Sequence, residues 1–161
     1  MPLNTMQQIV RGTIDGLTIP GQTDPLVAYI QPPTWEAIEG PRAYVWSSRL
    51  AERRQTMPRV HGFKRLDHTI DIYVVWLSSA DDANIDLDSS WTLLLDAIMA
   101  SLRLIPIAVI VQDQQTGVKS QLLAIGEDMG MENTPVMTPE SARLLWYSAK
   151  ITVQVQEGLQ G

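Results

Sequence analysis

Phe63-Lys64-Arg65-Leu66-Asp67-His68-Thr69-Ile70-Asp71-Ile72-Tyr73-Val74-Val75-Trp76-Leu77 decides the reading of the fold. Ile70, Ile72, Val74 and Trp76 alternate with Asp71, Tyr73, Val75 and Leu77, which is the two-residue period of a strand. Toward Leu77 both faces turn apolar, as expected where a strand enters a buried region. Its beginning is basic and polar. Residues 43–56 read as a second long strand, and Met57-Pro58-Arg59-Val60-His61-Gly62 between them carries turn residues. The stretch 43–77 therefore predicts one long antiparallel hairpin, apolar at its base and basic at a protruding far end. An arm whose distal half is polar and charged cannot bury a core of its own.

Outward from the hairpin, the pattern changes to helical spacing. Trp91, Leu94, Leu95, Ile98, Leu102 and Ile105 form an apolar stripe at intervals of three and four, predicting a helix over 86–105. Asp86 and Asp88 at its start and Arg103 near its end suit the helix dipole, and Pro106 stops it. On the other side, Leu3, Met6, Val10, Ile14 and Leu17 predict a helix over 3–17, capped by Asn4 or Thr5 and weakened by Gly12 and Gly16. A short strand is expected at 26–30, followed by a proline-rich stretch at 31–41. Residues 107–112 and 118–125 read as a second hairpin, and 126–141, with Gly126, Gly130, Pro135 and Pro139, as a loop. The last strand is expected over 142–157. Leu145, Tyr147, Ala149, Ile151, Val153 and Val155 lie on one face of it, and Lys150, Thr152, Gln154 and Gln156 on the other. The fold class is α+β: a mostly antiparallel sheet with a long hairpin, packed by two helices, in one domain spanning 1–161.

Composition narrows the class of function. The chain has 161 residues, of which 45% are hydrophobic and 19% charged, so a packed core is expected. It has no cysteine, which removes disulfides, thiolate metal sites and cysteine nucleophiles. The start, Met1-Pro2-Leu3-Asn4, does not resemble a secretion signal. The longest apolar run, 104–111, is broken by Pro106 and is far short of the ~20 residues of a membrane helix, so a soluble protein without a membrane partner is expected. The net charge of −6 argues against a tightly held nucleic acid. Charge is unevenly distributed, however. Arg42, Arg49, Arg53, Arg54, Arg59, Lys64 and Arg65 are opposed only by Glu52 within 42–65, so that stretch is +6 and the rest of the chain −12. Such asymmetry fits either an electrostatically guided contact or a solvated basic hairpin.

A search for chemistry finds no catalytic motif. There is no Gly-x-Ser-x-Gly, no Walker-type loop and no paired-glycine dinucleotide motif. Gly126-Glu127-Asp128-Met129-Gly130 carries carboxylates that would repel phosphate. Asp81-Asp82 and Asp86-x-Asp88 hint at calcium, but counting from Asp81 the sixth and twelfth positions are Asp86 and Thr92 rather than glycine and glutamate. His61 and His68 lie seven residues apart, roughly 3.3 Å per residue along a strand, so surface roles are expected for both. No catalytic residue, cofactor or metal is assigned, and no enzymatic activity is expected. Of five tryptophans, Trp76, Trp91 and Trp146 fit core stripes, while Trp35 among prolines reads as core or as an interface anchor.

The order of elements resembles a known family. A leading helix, a long hairpin containing Leu66-Asp67-His68-Thr69-Ile70-Asp71-Ile72-Tyr73-Val74, an amphipathic helix and a closing strand Trp146-Tyr147-Ser148-Ala149-Lys150-Ile151-Thr152-Val153 are similar to the tail-terminator and minor tail proteins of long-tailed bacteriophages. The likeness runs from about residue 3 to 157, and the proline-rich stretch 31–41 is not placed by the family pattern. The resemblance implies a homo-oligomeric ring of six subunits in the virion, assembled in the bacterial host cytoplasm. It implies contact with the tail tube protein below and with a neck or head-completion protein above. DNA would cross the lumen without being gripped. Such a ring caps the tube, ends its polymerisation and offers a surface for head joining. A head-completion or stopper protein of the neck, and a small-molecule-binding α+β domain, are the alternatives. On the ring reading, Arg49, Arg53, Arg54 and Arg59 of the basic arm, Trp35, and the acidic Glu127, Asp128 and Glu132 are the expected subunit or tube interface.

Overall fold

A computed structural model of the chain describes residues 2–19, 24–34, 40–55, 63–79, 87–105, 108–112, 119–123, 129–137 and 144–160. Within these, side-chain environments are described for 6–19, 24–34, 40–51, 67–77, 89–105, 129–133 and 147–155. The elements in chain order are α1 (Pro2–Ile14), β1 (Val27–Tyr29), β2 (Gly40–Gln55), β3 (Phe63–Ser79), α2 (Leu87–Arg103), β4 (Ala108–Gln112), β5 (Lys119–Leu123), β6 (Met129–Met137) and β7 (Leu144–Gln160). They build one seven-stranded sheet in the order β1-β2-β3-β7-β5-β4, with β6 also paired to β7. All pairings are antiparallel except β1 with β2. The α+β class, the mostly antiparallel sheet and the two helices are as the sequence predicts.

Alternation along β3 sorts the sheet into two faces. Ile70, Ile72, Val74 and Trp76 join Ala43 and Val45 of β2 and Tyr147, Ala149, Ile151, Val153 and Val155 of β7 in one cluster. Met6, Val10 and Ile14 of α1 and Trp91, Leu94, Leu95, Ile98 and Leu102 of α2 close over it. Each helix offers an apolar stripe at spacings of three and four, so one face of each is removed from water and the other stays wet. At about 1.5–3 kcal/mol for each fully buried Leu or Ile side chain, this layer is the main source of stability. Tyr44, Val75 and Leu77 are also buried, on the opposite face and outside that cluster. The segment after β1 reaches this second face, where Thr34 Oγ1 donates to Tyr44 Oη at 3.2 Å and Tyr29 stacks on Tyr44 with centroids 5.7 Å apart.

Several expectations are corrected. Helix α1 ends at Ile14, not at Leu17, because Gly16 takes φ +79°, a left-handed conformation that ends helices and that glycine adopts without steric cost. Gly16 N–H then donates to Leu26 O, and Leu26 N–H to Leu17 O, folding the chain back toward β1. Helix α2 begins at Leu87, and Asp86 lies outside the described residues, as do Pro106 and Trp35. Residues 129–137, expected in a loop, form β6. It runs along 146–153 of β7, with an irregular register between Thr134 and Met137 at Pro135. Proline is tolerated there because an edge strand can interrupt its ladder at a bulge. The predicted strand pair 43–56 and 63–77 is observed as β2 and β3, in register from Gly40↔Leu77 to Gln55↔Phe63, and the connecting 56–62, with His61 and Arg59, lies outside the described residues. Its far end is not a free two-stranded arm. β7 is as long as β3 and accompanies it to Phe63↔Gln160, and β5 and β4 extend the ribbon further.

One sheet edge is closed by side chains. Arg11 Nε donates to Ala28 O at 3.0 Å, and Ala28 N–H donates to Asp15 Oδ1 at 2.9 Å. Arg11 and Asp15 stand one helical turn apart and form an ion pair at 3.8 Å. Together they meet the donor and acceptor that Ala28 presents away from β2, as a further strand would, which blunts an edge otherwise open to strand addition.

Candidate interaction surface

The face of the sheet away from α1 and α2, here the helix-free face, carries exposed Trp46, Arg49 and Glu132 beside half-buried Tyr73 and Lys150. Direct cross-strand partners share a face, so register gives its map. Tyr29, Tyr44, Tyr73, Lys150 and Glu132 form one row across β1, β2, β3, β7 and β6. Trp46, Asp71, Thr152 and Gly130 form the next, then Arg49, Thr69 and Gln154. A register shift between Ser47 and Arg49 puts Arg49, rather than Ser48, opposite Thr69 on this face. Exposure rises along β2: Tyr44 is buried, Trp46 is 42% exposed, and Ser48 and Arg49 are exposed.

At the centre lies a buried carboxylate. Asp71 is 3% exposed; Thr152 Oγ1 donates to its Oδ1 at 3.0 Å, and Lys150 Nζ lies 3.6 Å from Oδ2. The same ammonium sits 5.9 Å from the Tyr73 ring centroid, a cation–π distance. Both oxygens of Asp71 are engaged, so the group ties β3 to β7 and fixes their register. On the helix-covered face, Trp91 Nε1 donates to Asn133 Oδ1 at 3.1 Å, fastening α2 to β6. Trp91 also packs against Tyr147, with centroids 5.5 Å apart.

Of the expected interface residues, Arg49 is exposed at the helix-free face and Glu132 is exposed on β6, in register with Lys150. Glu132 therefore belongs to a strand, not to an acidic loop. Arg53 and Arg54 lie on β2, in register with Arg65 and Lys64. Arg59, Trp35, Glu127 and Asp128 lie outside the described residues. His68, expected at the surface, is 2% exposed, because it shares the helix-covered face with Ile70 and faces Val155 across the ladder. Trp76 and Trp91 are core as expected; Trp146 is in register with Leu77, and its side chain lies outside the described environments. Sequence reasoning missed Trp46, Asp71 and Lys150 as a group. Their signal was parity: Trp46 alternates with Ala43 and Val45, and Asp71 interrupts an otherwise apolar end of β3.

Register also sorts the charge. Arg42, Arg49, Arg53, Arg65, Lys119 and Lys150 fall on the helix-free face, against Asp67, Asp71 and Glu132. On the other face, Arg54 and Lys64 share adjacent rows with Glu52 and Glu157. The basic excess is thus one-sided. Among the described residues no group of three or more His, Cys, Asp or Glu side chains could hold a metal ion, and no helix is long and apolar enough to cross a membrane. No protein-family model matches the sequence, and no curated protein matches it.

Proposed function

We propose that this protein is a structural virion subunit that forms a six-membered ring on the end of a bacteriophage tail tube, stops its polymerisation and presents a surface for head joining. The observation that carries the reading is the far end of β2 and β3, where Arg53 pairs with Arg65 and Arg54 with Lys64. Like charges directly opposite each other destabilise a ladder. A chain of net −6 that concentrates cations in this way is built to meet an anionic surface. The resemblance in element order over 3–157 supports reading that assembly as a phage tail end. A ring requires two different, complementary surfaces on each subunit, and the +6 stretch beside a −12 remainder offers both signs within one chain.

On this reading DNA crosses the lumen with weak, salt-sensitive contact, because a subunit of this net charge does not grip phosphate. The test is light scattering of the purified protein, followed by electron microscopy after mixing with tail tubes. Six-fold rings seated on tube ends support the reading. A protein that stays monomeric in the assembled particle, or binds a single copy of some partner, overturns it. Rings that ignore tubes but bind the head portal region favour the stopper alternative.

A further inference from the structure

We infer that the helix-free sheet face centred on Trp46 and Arg49 is the surface by which one copy of this chain receives the acidic surface of the next. The inference rests on the ring reading and assigns the joint to one face. The two faces of the sheet are unlike. One is covered by α1 and α2 over a continuous apolar cluster. Among the described residues, the other buries Tyr44, Val75, Leu77 and Asp71 and is exposed at Trp46, Arg49 and Gln154.

What lies on the open part is the composition of a binding centre rather than of a solvated face. Trp46 presents a large aromatic surface at 42% exposure, beside exposed Arg49 and half-buried Tyr73. Tryptophan, tyrosine and arginine are the residues that carry most binding energy at protein interfaces. Opposite Trp46 on β3, Asp71 is already paired with Lys150 and accepts from Thr152, so its charge is compensated within the face. Of the charged residues whose register positions place them on this face, six are basic and three acidic; in a chain of net −6 the remainder is therefore acidic. A second copy is therefore the occupant whose charge complements the face. Because the contact joins unlike surfaces, it propagates head to tail rather than ending as a two-fold dimer, and it gives the ring of the proposed function when the rotation between copies closes.

The experiment compares Trp46→Ala, Arg49→Glu and, as a control on the helix side, Leu93→Gln, where Leu93 is 50% exposed on α2. Oligomer mass is followed by multi-angle light scattering over a dilution series at low and moderate salt, and ring occupancy on tube ends by electron microscopy. Thermal unfolding verifies that each variant folds, which is expected because all three positions are exposed. Trp46→Ala is expected to raise the dissociation constant of the ring about tenfold or more. Arg49→Glu is expected to do the same with a reduced response to salt, and Leu93→Gln to leave the ring unchanged. The proposal is overturned if both face variants form rings as the parent does, or if only Leu93→Gln dissociates. Variants that keep the ring but lose low-salt retention of duplex DNA also overturn it, since the face would then serve the passing nucleic acid. A parent protein that never forms rings removes the ring reading and this joint together, whereas intact rings in every variant remove the joint alone.

Discussion

Removing Lys150 should cost the fold more than removing the charge of Asp71, although the two form one pair. The reason is asymmetry of burial. The Asp71 side chain is 5% exposed and the Lys150 side chain 38% exposed, with 3.6 Å between nitrogen and oxygen. In Lys150→Met the carboxylate stays buried, held only by the Thr152 hydroxyl at 3.0 Å. Stripping a partner from a fully buried pair costs about 3–5 kcal/mol. Because the lysine end is partly hydrated, screening reduces this to about 2 kcal/mol here. In Asp71→Asn the amide oxygen can still accept from Thr152, and the released ammonium reaches water, so the loss is about 1 kcal/mol. The double variant leaves neither an uncompensated buried charge nor an unpaired hydroxyl and should cost less than the sum, the mark of a coupled pair. Urea unfolding followed by tryptophan fluorescence at one fixed, dilute protein concentration measures all three changes. A larger loss for Asp71→Asn than for Lys150→Met, or strict additivity in the double variant, would refute the reasoning.

Further predictions come from the caps and clasps. Arg11→Ala with Asp15→Ala unblocks the β1 edge; each lost bond costs about 0.5–1.5 kcal/mol, and concentration-dependent association seen by light scattering should follow. Gly16→Ala places a β-carbon at φ +79°, which should lower the melting temperature by a few degrees for a cost of about 1 kcal/mol. Trp91→Phe keeps the aromatic packing on Tyr147 but removes the bond to Asn133, whose exposed amide then turns to water; a loss of about 0.5–1 kcal/mol is expected, with hydrogen exchange at 129–133 accelerating more than at 70–76.

The elements with strong periodicity were legible in the sequence. β3, α2 and β7 follow from apolar positions at spacings of two or of three and four, and the fold class follows from them. β6 was not legible because an edge strand has no obligation to alternate: Gly130, Glu132, Asn133, Thr134 and Pro135 read as loop residues, and only pairing with 146–153 makes them a strand. A clue was available, since both faces of β7 carry strand-like side chains over a length that 118–125 alone cannot accompany. The free two-stranded arm is replaced by a longer ribbon because β7 matches β3 in length and pairs with it from Phe63 to Ser79. The burial of His68 is not legible from its polarity and follows only from its parity with Ile70 and Ile72. The proposed interaction surface was legible as charge: the basic stretch 42–65 stands out in the sequence. Which face carries it was not, because that depends on the shift between Ser47 and Arg49.

The most direct test of a ring built from complementary surfaces is a mixing experiment. One variant reverses the basic strand end, Arg53→Glu with Arg54→Glu, and a second reverses the acidic stretch, Glu127→Lys with Asp128→Lys. Each alone sets like charges against like at every joint. An equimolar mixture restores opposite signs only where the two variants alternate, which a six-membered ring permits. Exposed ion pairs contribute only ~0–1 kcal/mol each, so the several reversed pairs act together on register while apolar contacts hold the joint. Native mass measurement is expected to find little ring in either variant alone and three copies of each in the ring that the mixture forms. Full rings from the Arg53→Glu, Arg54→Glu variant by itself, with joining to tails abolished, would contradict the account and turn the basic end toward the tube.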